Sequence, residues 1–332
     1  MKAAYINSTG PASVIEYGEL QSPTPQPGQV LVRMEAVAVN PIDTYIRAGL
    51  VKMQLPMPYV IGCDIAGTVE QLGDGVTAMA VGDRVWGSNQ GLFGRQGTFC
   101  ELAAVDAQWL YGAPDNVTAK AAAAGALTGI TAHLGLHLHG GLKKAENVFV
   151  NGGTGGVGSA VVQLAKAAGA TVLTTVGSDE KASIAGDLGA DVVINYRQDD
   201  VVSKLAAFVE QNGRIDLWFE TLRNPDLDRT VPLMARRGRI VLMAGRDARP
   251  EFPVGPFYVN DLRAIGFAMF NASAEEQQAA ARELNTLMET GRFQPLIGQE
   301  FSLADAAEAH RMQEANTLEG AGSLTGKIIL TP

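Results

Sequence analysis

The segment 147–158, NVFVNGGTGGVG, runs directly into SAVVQLAKAAG and constrains this chain more than any other stretch. It predicts a buried strand, a glycine turn and an amphipathic helix in immediate succession. Gly153, Gly155 and Gly158 stand at the spacing G-x-G-x-x-G, with Thr154, Gly156 and Val157 between them. That spacing suits a chain that turns tightly, lets bare backbone approach a pyrophosphate and packs its helix close to its strand. Amides at the helix start, and the positive end of its dipole, then favour an anion. A second strand-like run, ATVLTTV at 170–176, supplies the context that a lone glycine motif lacks. The plain alternative is a structural glycine-rich turn.

From about residue 125 the pattern alternates between strand and helix. Strands are predicted at 147–151, 170–176, 191–195, 215–220, 238–244 and 263–269, with helices at 156–168, 179–188, 199–211 and 226–235. This is an α/β pattern, a doubly wound parallel sheet of six strands. The residues before it differ in texture. Short β-type runs at 2–6, 30–39, 65–72, 84–87 and 98–104 are broken by clusters such as SPTPQPGQ, which predicts a small β-rich domain. After the sheet come a long helix at 273–291, opened by Ser273 and Glu276 as a capping box, a helix at 303–315 and a last strand, GKIILTP. A lone terminal strand needs a sheet, so it is expected to rejoin the β-rich domain.

Charge narrows the partners. The net charge of −9 disfavours nucleic acid or a membrane surface as the main partner. No signal-like core and no run of about 18 apolar residues occurs, so neither export nor a membrane span is expected. Two cysteines, Cys63 and Cys100, make no disulfide framework and suit a reducing cytoplasm.

The choice of dinucleotide is expected at the end of the second strand, about 20 residues past the glycines, where NAD sites place an acidic residue. Here Gly177 and Ser178 occupy that place, Lys181 follows one helical turn later, and Tyr196 and Arg197 follow the third strand. A small hydroxyl with cations nearby leaves room for a 2′-phosphate, which favours NADPH. Asp179 is the complication, because turned inward it would repel that phosphate. Ser178 and Asp179 also read simply as helix caps.

GCDIAGTV at 62–69, GDRVWG at 82–87, GALTGITAHLGL at 125–136, NGGTGGVG and GAGSLTGKIIL at 320–330 occur in an order that resembles the medium-chain dehydrogenase/reductase superfamily. NPIDTYIRAG at 40–49 is most similar to its zinc-free quinone oxidoreductase (zeta-crystallin-like) branch. The resemblance spans essentially the whole chain. It implies a GroES-like catalytic domain from 1–124 and 268–332, a Rossmann NADPH-binding domain at 125–267, a cleft holding NADPH and substrate, and a homodimer or dimer of dimers.

A catalytic zinc needs three protein ligands and an open position. Relative to the zinc-dependent members, Asn40 stands where a Cys is needed and Gly62-Cys63-Asp64 replaces Gly-His-Glu. No third ligand falls near Leu127–Thr131, so no metal is expected. His133, His137 and His139 have ligand-like helical spacing, but no accompanying Glu, and Gly140-Gly141 is expected to end their helix.

The absence of zinc is chemically consistent with an acceptor that is already electron-poor, as a quinone or an activated C=C bond in an enone, alkenal or haloacrylate is. The resemblance makes Tyr45, a phenol protonated at neutral pH, the hydrogen-bond donor to the acceptor, with Asn40 beside it. A packed aromatic is the ordinary reading of such a tyrosine. Asp43 and Arg47 read as a polar pair or solvated surface, and Tyr59 either lines the acceptor pocket or supports its turn. By the same resemblance Thr131, Asn224, Met243, Ala244, Gly245, Arg246, Phe267 and Met269 approach the cofactor, the last two from the sixth strand. Lys327 reaches the phosphates or sits on a surface strand. A crystallin-like or RNA-binding role is the reading outside catalysis.

Overall fold

The computed structural model describes all 332 residues. The chain forms two compact units, one built from residues 1–127 and 273–332, the other from 128–272. No helix is long and apolar enough to cross a membrane.

The first unit begins with β1 (Lys2–Ile6), β2 (Glu16–Glu19), β3 (Gln29–Val39), helix α1 (Pro41–Arg47), β4 (Tyr59–Val60), β5 (Ile65–Leu72), β6 (Arg84–Gly87), β7 (Leu102–Asp106) and β8 (Leu110–Gly112). Strand β3, QVLVRMEAVAV, organises it. Its apolar residues are almost wholly buried, and it pairs antiparallel with both β5 and β7. Helix α2 (Ala119–His133) carries the chain into the second unit and widens into a π-helical turn at Leu134–His139. The glycines 140–141 end that turn, Gly141 at φ +57°.

The second unit continues with β9 (Asn147–Val150), α3 (Gly156–Ala167), β10 (Thr171–Val176), α4 (Asp179–Asp187), β11 (Val192–Asn195), α5 (Val201–Asn212), β12 (Ile215–Glu220), α6 (Leu227–Thr230), β13 (Met234–Leu242), α7 (Val254–Val259) and β14 (Arg263–Gly266). The sheet order is β11-β10-β9-β12-β13-β14 and every pair is parallel. It reverses direction between β9 and β12, the switch point at which doubly wound sheets bind nucleotides. Phe149 and Trp218 stack at 3.9 Å between ring centroids in its core, with Leu173, Ile194, Leu205 and Ile240.

Two predicted elements are shorter than expected. The helix at 226–235 is reduced to α6 and a 3-10 turn at Val231–Leu233, and β13 starts at Met234. Pro232 has no amide to continue a helical ladder. The sixth strand stops at Gly266, so Phe267 and Met269 lie beyond it, Met269 at the start of a 3-10 turn. Pairing with β13 ends at the Leu242–Gly266 register, which leaves nothing for a longer strand to pair with.

The chain returns to the first unit through α8 (Ala274–Glu289), β15 (Ile297–Ser302), α9 (Ala306–Thr317) and β16 (Lys327–Thr331). Helix α8 opens with the expected capping box, Glu276 N–H to Ser273 Oγ at 3.2 Å and Ser273 N–H to Glu276 Oε2 at 2.8 Å. Strand β16 does rejoin the β-rich domain. It pairs antiparallel with β3 and parallel with β15.

Candidate functional site

In the second unit the glycine loop leaves β9 at the switch point. The left-handed backbone falls at Gly152, φ +66°, one residue before the G-x-G-x-x-G motif. The motif glycines serve space instead. A Cβ on Gly158 would stand 2.1 Å from the Gly152 carbonyl oxygen, and one on Gly153 would stand 2.3 Å from Thr174 Oγ1. A Cβ on Gly155 would meet only the Gly152 carbonyl oxygen, at 3.3 Å, and otherwise faces open space. Gly155 is also the N-cap of α3 and has no side chain with which to cap it. The amides of Gly156, Val157 and Gly158 therefore lack both an intrahelical partner and a side-chain cap, which makes an anion cradle. Thr154 is buried within the turn.

At the end of β10, Ser178 Oγ accepts the Lys181 amide at 3.2 Å and caps α4. Asp179, the doubtful residue, is turned aside. Its carboxylate accepts from Asn195 Nδ2 at 2.7 Å and Gln198 Nε2 at 3.1 Å, and these bonds hold its pKa below the usual carboxylate value. The Tyr196 phenol lies against Gly177, where a Cβ would meet its hydroxyl at 2.5 Å. Partial burial first, and then the neighbouring Arg197 charge, hold the Lys181 ammonium below the usual lysine range. Two cations, Lys181 and Arg197, thus lie within each other's field at the end of β10, where an acidic residue would select NAD.

At the neighbouring strand ends, the buried Glu220 carboxylate accepts from Asn151 Nδ2 at 2.8 and 2.9 Å, Trp218 Nε1 at 3.1 Å and the Leu222 amide at 2.8 Å. This pair fixes the last residues of β9 and β12 beside the glycine loop, and the sequence reading missed it. The buried Asn151 in NGGTGG was the available signal. Asn224, Met243, Ala244, Gly245 and Arg246 follow β12 and β13. Gly245, at φ +84°, approaches the Arg223 carbonyl so closely that a Cβ would stand 2.3 Å from its oxygen, which brings these two loops together. Thr131 is buried on α2, Phe267 stacks on His139 at 4.6 Å, and Met269 is buried.

The first unit holds a buried polar cluster at the join of β3, α1 and β16. The Lys327 ammonium donates to Asn40 Oδ1 at 2.6 Å and to the Val39 carbonyl. Asn40 Nδ2 donates to Asp64 Oδ2 at 2.8 Å, and the Asn40 amide donates to Asp43 Oδ2 at 2.7 Å. Asp64 Oδ1 also accepts from Ser88 Oγ at 2.7 Å and from the Leu127 amide at 3.1 Å. Burial pushes the Asp43 carboxyl up to about 7, and raises the Cys63 thiol well above its usual value, with Asp43 adding to the latter. Asp64 is also raised by burial, which Lys327 opposes.

Several expectations need correcting here. Asn40 is wholly buried and both amide atoms are engaged, so it touches no substrate; it holds the start of α1. Tyr59 is 1% exposed and its hydroxyl donates to the Gly91 carbonyl at 2.7 Å, so it supports its loop and lines no pocket. Lys327 is neither on a surface strand nor aimed at a phosphate, because its ammonium is enclosed by Asn40 and Val39. Asp43 and Arg47 are not a pair. Arg47, also buried, binds Glu314 and the Gly10 carbonyl. Tyr45 is half-buried on α1, between Asp43 and Arg47 in sequence.

A doubly wound six-stranded sheet with a glycine cradle, inserted in a β-rich unit made from both ends of the chain, defines the medium-chain dehydrogenases and reductases. Family models agree: residues 26–115 match the alcohol dehydrogenase GroES-like domain, and residues 156–286 match a model described as zinc-binding dehydrogenase. The human quinone oxidoreductase is 33% identical over 331 residues, covering 99% of this chain and 97% of its own. Among solved structures, the Escherichia coli quinone oxidoreductase complexed with NADPH superposes with TM-score 0.84 at 26% identity, all of both chains covered. An NAD-dependent alcohol dehydrogenase superposes with TM-score 0.88 at 29% identity over all of both chains. The chain belongs to the medium-chain dehydrogenase/reductase superfamily and is an oxidoreductase. Curated relatives of 30% identity or more include the quinone oxidoreductases of human and of Pseudomonas aeruginosa, the latter 32% identical over 331 residues.

Proposed function

We propose that this enzyme reduces quinones with NADPH and without zinc. The fold is shared with an NAD-dependent alcohol dehydrogenase and therefore does not choose between these chemistries; the support for the reading comes from the site residues. The observation that carries the reading is the basic end of β10, where Lys181 and Arg197 crowd each other while Asp179 is turned to Asn195 and Gln198. A 2′-phosphate would neutralise that crowding.

On this reading the amides of Gly156, Val157 and Gly158 hold the pyrophosphate, and Ser178, Lys181, Tyr196 and Arg197 hold the 2′-phosphate. The loops 222–224 and 243–246 and Phe267 flank the nicotinamide end. When bound, NADPH supplies the hydride. The Tyr45 phenol donates a hydrogen bond to the acceptor oxygen as negative charge builds on it. The buried cluster of the first unit argues against zinc. Its one thiol is held protonated, Asn40 and Asp64 are bonded to each other, and an ammonium is enclosed among them. A zinc ligand set requires deprotonated thiolate and open lone pairs.

The test is turnover with chelator present, crossing NADPH and NADH against a benzoquinone, an alkenal and a simple alcohol–ketone pair. The expected outcome is chelator-insensitive oxidation of NADPH by the quinone, faster than by the alkenal, with little alcohol activity. Metal-dependent alcohol oxidation would sink the reading; preference for NADH would sink the assignment of Ser178 and Lys181.

The same reading includes a homodimer. Strand β14 is the edge of the parallel sheet with one side unpaired, and Val254, Tyr258 and Val259 beside it on α7 are each more than 60% exposed. Such an open apolar edge suits pairing with a second copy.

A further inference from the structure

We infer that Lys327 is the internal counter-cation of the buried carboxylates Asp43 and Asp64, and that it positions Asn40, and through Asn40 the helix that carries Tyr45. The geometry is specific. Gly326, at φ +70°, lets the chain pass so close to Leu296 that a Cβ would stand 2.2 Å from its carbonyl oxygen, and the Lys327 amide donates to that same oxygen at 2.8 Å. Strand β16 then pairs Ile328 with Val39, which sets Lys327 beside Asn40. The TGK motif is thereby accounted for in full: glycine for the close approach, lysine for the cluster.

An Asn side chain in a polar cavity can flip, because its amide presents a donor and an acceptor at nearly the same place. Lys327 removes the choice. Its ammonium only donates, so Oδ1 must face it, and Nδ2 must then face Asp64. Asn40 N–H in turn anchors the Asp43 carboxylate in the first turn of α1, and Tyr45 follows two residues after Asp43.

The charge argument is independent of the flip. Lys327 lies in the field of Asp64, Asp43 and Cys63, and burial is what its pairing with them offsets. Around the cluster, Asp64 faces Asn40, Ser88 and the Leu127 amide, Asp43 faces Cys63 and Asn40, and Tyr59 and Arg95 stand close enough to feel Cys63. Lys327 is the cation whose charge acts on both Asp43 and Asp64, and removing it leaves the two carboxyls buried without that counter-charge.

The test measures thermal unfolding across pH for the parent chain, Lys327→Met, and Lys327→Met combined with Asp64→Asn, with cofactor affinity measured alongside. Loss of Lys327 in Lys327→Met removes the charge that opposes the burial-driven rise of Asp43 and Asp64, so the buried carboxyls are held protonated to still higher pH than in the parent chain. Stability is then present at low pH and lost as pH rises toward neutrality. A melting temperature lower than the parent's by roughly 5–10 °C at pH 8, with the gap closing near pH 5, is expected. The double variant should recover most of that loss and its pH dependence. If Lys327→Met does not fold at any pH, failure of the double variant to restore folding overturns the proposal. A pH-independent loss overturns it too. An unchanged melting profile with weakened NADPH binding would instead make Lys327 a phosphate contact.

The link to catalysis rests on the proposed quinone reduction. In the double variant the Asn40 amide is no longer held, and kcat is expected to fall at least tenfold while the NADPH dissociation constant stays within about twofold. Were the parent chain inactive toward quinones, the functional reading would fail while the melting experiment still decided the role of Lys327.

Discussion

His310 lies fully buried on α9 with neither ring nitrogen hydrogen-bonded, its ring edge-on to Phe99. Burial, and secondarily Arg47, pushes its pKa down to about 3. The unfolded chain therefore binds a proton that the folded chain refuses between about pH 6.5 and pH 3. The stabilisation is complete above that window and is lost as pH falls through it, by up to about 1.4 kcal/mol per pH unit. Asp43, raised to about 7, acts in the opposite sense, since its folded form holds a proton that the unfolded form releases, and stability falls from about pH 4 to 7. We expect His310→Gln to flatten the acid limb and unmask the Asp43 slope in a urea titration at several pH values; an unchanged acid limb would refute the assignment. The glycine loop gives a second contrast. Gly158→Ala should cost ~1–3 kcal/mol, because its Cβ meets a backbone oxygen. Gly155→Ala should keep stability within about 1 kcal/mol but weaken NADPH binding about tenfold or more. Equal effects of the two on melting would contradict the division of roles.

Among elements, the end of β10 carries the cofactor preference in the proposed function. Replacing both Lys181 and Arg197 by Ala should raise the KM for NADPH by roughly 10–100-fold and leave that for NADH nearly unchanged, as loss of charge-assisted bonds to a phosphate requires. Parallel losses with both cofactors would place the effect elsewhere. This element also shows what sequence can carry. Gly177, Ser178 and Lys181 were legible because a βαβ unit fixes their distance from the glycines. The orientation of Asp179 was not, because it depends on Asn195 and Gln198 from the next strand and turn. The cluster around Lys327 was hidden for the same reason. Its members lie at 40, 43, 63–64, 88 and 327, and only the pairing of β16 with β3 brings them together. Asn40 and Lys327 were each misplaced by reading a local motif without its burial, and of the two readings of Tyr59 its burial favours the one that supports its turn. The helix predicted over 226–235 failed on Pro232 alone.

At the scale of the molecule, the six parallel strands followed from periodicity, and the return of the last strand to the β-rich unit followed from its need for a sheet to pair with. The segment 245–261 contains α7, which buries none of its own residues. That absence is itself informative on the dimer reading. We expect Val259→Asp, or Tyr258→Asp, to convert a dimer to a monomer at micromolar concentration in sedimentation velocity, with the monomer still binding NADPH. A parent chain that sediments as a monomer would remove the dimer from the proposal.

The pairing of β16 with β3 also imposes a timetable. Asn40 meets its lysine only 287 residues later along the chain. On a ribosome adding about 5–20 residues each second, the nucleotide-binding unit has every one of its strands before that lysine is made. The β-rich unit must wait, its two carboxylates lacking their cation and β3 open along one edge. A nascent chain of this kind therefore matures from the middle outwards, and its first-made residues are among the last to reach their final structure.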